Sequence, residues 1–204
     1  MREFIYYSRT APTSGKYIKD DLMKSGRLDI VIHSVIATFF LSHGFRDDVK
    51  LNLCFAGPPD PEKHLELLPK TEGKTGMDKI YLSKKDVGWV IKRMLYKYKP
   101  GIRNEVFPGY WIEKKSFMKI VKEMSDEGRN LYILDGKGQD IREEKIRENP
   151  VFIIGDHLGL PAKELKRLKK ICKPVSIGKK TYFASQTIAI VNNEVDRREE
   201  AGKL

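Results

Sequence analysis

Cysteine is scarce in this sequence. Two occur in 204 residues, Cys54 and Cys172, and neither has a cysteine or histidine neighbour at metal-ligand spacing. That excludes a zinc motif and a disulfide-stapled scaffold, and both thiols read as reduced and structural. Long apolar runs are also missing. No stretch approaches the roughly 18 residues of a membrane helix, and the apolar region from Ile30 to Leu41 is interrupted by His33, Ser34 and Thr38. The opening MREFIYYSRT lacks the apolar centre of a signal segment, so a soluble, cytoplasmic protein is expected. Nucleotide fingerprints are absent too. GKGQDI falls short of G-x-G-x-x-G, and neither a P-loop nor a G-x-S-x-G elbow occurs, which argues against nicotinamide Rossmann, P-loop and α/β-hydrolase chemistry.

What is present is positive charge and a regular apolar pattern. Thirty-nine basic against 28 acidic residues give a net charge of +11 and a pI near 9.5. Such a balance suits a polyanionic partner, because each neutralised phosphate releases counterions; a merely basic soluble protein is the other reading. The 40% hydrophobic content is enough for a real core, and no domain boundary is visible, so one domain over 1–204 is expected.

REFIYY opens as a strand, and Ser8 to Lys16 reads as a polar loop. From Arg27 the spacing turns helical. Leu28, Val31, Ile32, Val35 and Phe39 fall on one face, and Gly44 is the expected stop. Val49 to Phe55 reads as a strand closed by Gly57-Pro58-Pro59. Ser83, with Asp86 three residues on, caps a helix whose stripe is Val87, Val90, Ile91, Met94, Leu95 and Tyr98. Lys92 and Lys97 lie off that stripe, giving a basic face that either contacts RNA or is simply solvated. Lys99 to Trp111 reads as an ordered loop, in which Tyr110 and Trp111 either stack on RNA or pack in the core. Ser116 starts a helix carrying Phe117, Ile120, Val121 and Met124.

The last third alternates strand and helix, which argues for an α/β domain with a mostly parallel sheet. Strands at Leu131–Leu134, Val151–Ile154 and Pro174–Ile177 are each followed by a glycine-bearing loop: Asp135 to Gly138, Gly155 to Gly159, and Gly178 to Phe183. Helices carrying Leu165 and Leu168, and Ala184, Ile188, Val191 and Val195, complete the pattern. Ligands gather at the carboxyl ends of parallel strands, where glycine lets backbone approach them. Three such loops in order suggest a backbone-lined cofactor pocket; the alternative is ordinary turn chemistry. His157 lies in the second loop, as a base or as a simple hydrogen-bonding residue. His33 and His43 read as structural.

The segments MREF, SGRLDIVIHSVIATFFLSHGFRDDV, LCFAGPPDP, FIIGDHLGLP and SIGKKTYFASQTIAIVNNEVDR together span most of the chain. In this order they resemble the archaeal tRNA pseudouridine N1-methyltransferases, of the SPOUT or α/β-knot superfamily. The resemblance implies a trefoil knot over roughly residues 130–200, S-adenosylmethionine as cofactor, a homodimer, and methyl transfer to N1 of pseudouridine at position 54 of tRNA. No metal is implied. It also implies that Leu134 and Gly155 end their strands at the pocket. Gly178, Lys179, Lys180, Thr181, Tyr182 and Phe183 would wrap the cofactor through their backbone, with Thr187 beside it. Some relatives carry cysteine where this chain has Thr187.

Pseudouridine N1 carries a proton and is a poor nucleophile, so the protein must orient it and help remove the proton. Asp29 of GRLD is the first candidate for that role, and Arg27 for stabilising charge on the uracil oxygens. Helix capping is the alternative role of Asp29. Arg46, Lys50 and Arg103 are candidate phosphate contacts, each equally readable as a surface charge. Two rival functions share the fold: N1-pseudouridine methylation of small-subunit ribosomal RNA, and non-catalytic RNA binding.

Overall fold

The computed structural model describes residues 1–68 and 83–203. In chain order its elements are β1 (Arg2–Ser8), a 3-10 turn (Gly15–Tyr17), α1 (Leu28–Phe39), β2 (Phe40–Leu41), β3 (Gly44–Phe45), β4 (Val49–Phe55), β5 (Lys63–Leu67), α2 (Lys84–Tyr96), β6 (Asn104–Phe107) and β7 (Tyr110–Glu113). They continue with α3 (Phe117–Asp126), β8 (Asn130–Asp140), β9 (Pro150–Gly155), α4 (Ala162–Leu168), β10 (Lys173–Ser176) and α5 (Ala184–Glu200). Eight strands form one sheet in the order β10-β8-β9-β1-β4-β5-β7-β6. The five strands from β10 to β4 run parallel. The three beyond β4 are antiparallel.

Strand alternation sorts side chains onto the two faces of this sheet. Phe4, Tyr6, Leu51, Leu53, Phe55, Phe152 and Ile154 meet the apolar stripes of α1, α2 and α5 on one side. Ile5, Tyr7, Cys54, Ile133, Val151 and Ile153 meet α3 and α4 on the other. Every apolar residue placed on α1 by spacing is buried, and burying each such side chain stabilises the fold by about 1.5–3 kcal/mol. Ser83 accepts a hydrogen bond from the Asp86 amide, and Ser116 one from the Lys119 amide, so both expected caps form. Both thiols are buried; burial pushes Cys172 up to about 12 and Cys54 well above its ordinary value. No helix among the described residues is long and apolar enough to cross a membrane.

Four expectations need correction. The α1 helix ends at Phe39, and Gly44 instead opens β3 of a short hairpin with β2. The stretch Lys99 to Trp111 is largely the β6–β7 hairpin, turned at Pro108-Gly109, where Gly109 has φ +80°. Asp135 to Gly138 is not a loop. It continues β8, because β10 shifts register and pairs Val175 and Ser176 with Gln139 and Asp140. Arg27 is not helical; it sits in the left-handed region at φ 57° as the residue before α1.

The antiparallel half carries a polar face. Asn52, His64, Glu66, Trp111 and Glu113 are register partners on the side that bears Cys54. His64 lies between the Asn52 amide oxygen, at 2.9 Å, and the Glu113 carboxylate, at 3.1 Å. Glu113 also meets Lys115 at 2.9 Å. These contacts hold its carboxyl down at about 2, the His64 hydrogen bond first among them.

Candidate functional site

The carboxyl ends of β1, β9 and β10 open onto one end of the sheet, and the sequence brings three connections there. The first runs from β1 to α1. Its Thr10 hydroxyl donates to the Gly26 carbonyl at 2.9 Å. A Cβ on Gly26 would stand 2.0 Å from the Thr10 carbonyl oxygen, so only glycine allows this contact. Gly26 and Arg27 are both left-handed, at φ 64° and 57°. A non-glycine residue rarely occupies this region, and such strain tends to concentrate at functional sites.

That turn directs Arg27 back onto Asp29. The guanidinium donates twice to the carboxylate, both at 3.0 Å. Asp29 lies in the first turn of α1, where the nearby backbone amides also favour its charged form. The capping reading does not hold, since Arg27 occupies the cap position and no side chain caps the helix; Asp29 sits in the first turn, half-buried beside Arg27, where its charge suits the helix dipole. The Arg27 hydrogen bond holds its carboxyl below the ordinary range. An ionised carboxylate in this position is a hydrogen-bond acceptor first and a weak base second.

The second connection follows β9. Gly155 pairs with Tyr7 of β1. A Cβ there would meet the Gly159 and Leu160 backbone at 2.7 Å, so the loop folds back directly on the strand end. Asp156, 8% exposed, organises this corner. Its carboxylate accepts from Ser8 Oγ at 3.1 Å, from the Arg9 amide at 2.8 Å and from the Leu158 amide at 2.9 Å. His157 next to it is exposed.

The third connection follows β10. Gly178 has φ +125° and open space where a side chain would stand, and the Ser176 hydroxyl bridges its amide and carbonyl, both at 3.1 Å. Lys179, Lys180, Thr181, Tyr182 and Phe183 are exposed, Phe183 by 68%. Thr187 is buried and donates its hydroxyl to the Phe183 carbonyl at 3.1 Å, at the start of α5. Leu134 and Ile177 are partly buried at the same end of the apolar core. Apolar Leu134, Leu158 and Ile177, with glycine-bearing backbone around them, match the chemistry of S-adenosylmethionine. Its adenine needs apolar walls and backbone hydrogen bonds, and no metal-ligand set is required.

Two residues of this end escaped the sequence reading. Tyr6 is fully buried with a hydroxyl lacking a hydrogen-bond partner among the described residues. Burial raises its pKa, and the charges of Asp156 and Asp29 raise it further. Tyr6 is thus the floor joining the Asp29 and Asp156 sides. The available signal was Tyr6 itself, a polar-tipped residue two positions after Phe4 on the core-facing side of β1. Asp156 was the other, visible as the acid in FIIGDHLG.

The candidate phosphate contacts lie elsewhere. Arg46 donates twice to Asp196, at 2.8 and 2.5 Å. Arg2, 1% exposed, joins Asp48, Asp196 and Glu199 at the amino end of β1, opposite the glycine loops. These acids form a compact cluster, held by two guanidinium groups. Lys50 meets Glu3 at 3.7 Å and Glu66 at 3.4 Å. Arg103 meets Glu66 at 3.0 Å and covers Trp111, its guanidinium carbon 4.4 Å from the ring centroid. Tyr110 is in the core. A concavity of about 660 Å³ also lies elsewhere, between the β8–β9 connection and the end of α5, lined by Arg142, Lys145, Glu194, Arg197 and Lys203 among others. Charged side chains of both signs line it, so the glycine-bearing end is the better cofactor site.

The chain is similar to known proteins over nearly its whole length. A family model described as a SAM-dependent RNA methyltransferase matches residues 1–200. The tRNA (pseudouridine(54)-N(1))-methyltransferase of Pyrococcus abyssi is 35% identical, covering 97% of this chain and 98% of its own. That of Thermococcus kodakarensis is 33% identical, covering 96% and 99%. Among solved structures, Archaeoglobus fulgidus Nep1 bound to S-adenosylhomocysteine superposes with a TM-score of 0.65 at 14% identity, over 98% of this chain and 99% of that one. The α/β architecture with a mostly parallel sheet expected from the sequence is the one observed, and Nep1 shares its fold.

Proposed function

The chain belongs to the SAM-dependent RNA methyltransferase family, and from that premise we propose that it transfers the methyl group of S-adenosylmethionine to N1 of pseudouridine 54 in tRNA. The observation that carries this reading is the meeting of the Arg27–Asp29 pair with the glycine loops at one end of the parallel strands. Nearly full-length similarity to enzymes named for that reaction supports it.

Leu134, Gly155, Gly178 to Phe183 and Thr187 hold the cofactor in this reading, chiefly through backbone groups. The bound cofactor supplies a methyl group already made electrophilic by its sulfonium. The remaining work belongs to the chain. Asp29, kept ionised by Arg27, accepts a hydrogen bond from N1–H and so turns the N1 lone pair toward the methyl group. As N1 takes the methyl group and the methyl–sulfur bond breaks, its electron pair leaving with the sulfur, the N1 proton becomes strongly acidic, and even a weakly basic carboxylate takes it. Arg27 then faces the uracil carbonyls, where negative charge is stabilised during the transfer. A base must leave the T-loop stack to reach this end.

The knot and the homodimer are part of the same proposal. β10 pairs with β8 beyond β9, and Arg198 of α5 donates to the Ile141 and Glu144 carbonyls of the β8–β9 connection, at 2.5 and 2.7 Å. This tie between α5 and that connection supports a chain tucked through its own loop. Exposed Leu158, Tyr182 and Phe183 beside the cofactor loops support a second subunit packed there. The site of action is cytoplasmic tRNA, and catalysis requires no metal.

The test is methyl transfer from labelled S-adenosylmethionine to two tRNA transcripts, one with pseudouridine at position 54 and one with uridine. Label in the pseudouridine transcript alone is expected. Label in both points to a different atom. Label in neither, but in a ribosomal RNA hairpin containing pseudouridine, moves the substrate to ribosomal RNA; cofactor-independent RNA binding without transfer points to a non-catalytic factor.

A further inference from the structure

We propose that the exposed face of α2, with the adjoining 3-10 turn, is the surface on which the tRNA docks: Lys85, Arg93 and Lys97 take phosphates while Trp89 and Tyr96 stack on bases. This rests on the reading above that the substrate is RNA. It places the contacts away from Arg46, Lys50 and Arg103, all of which are engaged by carboxylates.

The helix buries Val87, Val90, Ile91, Met94 and Leu95 against the core. Its opposite side carries Lys85, Trp89, Arg93 and Lys97 at successive four-residue steps, one above the other, with Tyr96 beside them. Trp89 is 57% exposed and Tyr96 51%. Large aromatic surface left in water next to cations is the pattern of a nucleic-acid platform, since every base offers a π-face and every phosphate a charge. The two rings are seven residues apart, about 10.5 Å along the helix.

Among the described residues, few acidic side chains oppose this charge. Asp86 is the only acid in α2, and it accepts the Ser83 hydroxyl at 2.5 Å. Asp20 and Asp21 lie at the rim, where Asp21 accepts the Met23 and Lys24 amides and pairs with Lys24 at 3.4 Å.

The surface is also mechanically joined to the candidate catalytic end. Gly15 packs so closely beneath Tyr96 that a Cβ would meet the ring at 2.8 Å. Lys92 Nζ donates to the Ile18 carbonyl at 2.9 Å. Gly88 faces Ile32, one turn along α1 from Asp29. The turn under Tyr96 belongs to the β1–α1 connection that ends in Arg27, and Tyr17 of that turn is itself 51% exposed. RNA lying on α2 is therefore held by the element that positions Arg27 and Asp29.

The experiment measures tRNA affinity and tryptophan emission. The protein has two tryptophans, so Trp111→Phe leaves Trp89 as the reporter. Its emission is expected to be quenched on saturation with the tRNA transcript. Trp89→Leu and Tyr96→Leu are each expected to weaken tRNA binding roughly 5- to 150-fold. Arg93→Ala should reduce the slope of log affinity against log salt by about 0.7–0.9. Unchanged S-adenosylmethionine affinity in each variant shows that the fold is retained. Wild-type tRNA affinity in folded Trp89→Leu and Tyr96→Leu variants, with no quenching, overturns the assignment. A parent protein that binds no tRNA overturns the RNA reading itself, and this surface with it.

Discussion

The two halves of the sheet are built on different principles. On the face covered by α3 and α4, the parallel strands present Ile5, Ile133, Val151 and Ile153. Across β4 the same face changes to Asn52, His64, Glu66 and Glu113. The parallel half is packed by apolar contact and leaves its strand ends free for backbone-lined loops. The antiparallel half packs Leu65, Leu67 and Ile112 into the core on its other face, while on this face hydrogen bonds and ion pairs among its own side chains hold it. Charge in this basic protein thus divides into groups that hold the fold, such as Arg2 and Arg46, and groups that face solvent, such as Lys85 and Arg93. A positive residue's role follows from whether a carboxylate reaches it.

The sharpest way to break this contrast is Gly155→Val. The new side chain collides with backbone at 2.7 Å in the parallel half's loop. S-adenosylmethionine affinity is expected to fall by at least about 100-fold, or about 2.7 kcal/mol, as read by titration calorimetry. Asp29→Asn comes next. It should slow single-turnover methyl transfer roughly 100-fold and change cofactor affinity by less than about twofold; an equal loss of both would make Asp29 a structural residue.

Legibility in the sequence follows the same division. The α1 stripe, the caps at Ser83 and Ser116, and the strand–helix alternation of the last third were readable because apolar spacing reports them directly. β5 was not, because KHLEL turns His64 and Glu66 toward a polar network and so lacks the apolar signature of a strand. β6 and β7 were hidden by the Pro108-Gly109 turn, and the far half of β8 by Gly136 and Gly138, which resemble a loop until β10 pairs with them. GRLD and the glycine-bearing loops after β9 and β10 were readable as motifs. The trapping of Arg46 by Asp196 was not, since the partners are 150 residues apart.

Smaller effects sharpen the division of charge. Arg46→Ala is expected to lower stability by about 2 kcal/mol in denaturant unfolding, with tRNA affinity of the folded protein changed less than about twofold. Glu113→Gln is expected to cost about 1 kcal/mol at neutral pH and leave cofactor binding unchanged. Glu113 titrates near 2 when folded against 4.5 ordinarily. Its ionised form therefore stabilises the fold fully above about pH 4.5, and that contribution disappears as pH falls toward 2. Unfolding curves of the parent and Glu113→Gln should converge across that window; parallel curves would place the coupling elsewhere.

The most direct measurement is an amide NMR titration with S-adenosylhomocysteine. Shifts centred on Leu134, Gly155, Gly178 and Thr187, with Arg27 and Asp29 responding next, are the expected result. Shifts centred instead on Arg142, Lys145 and Arg197 around the 660 Å³ concavity, with the glycine loops silent, would contradict a cofactor site at the carboxyl ends of the parallel strands.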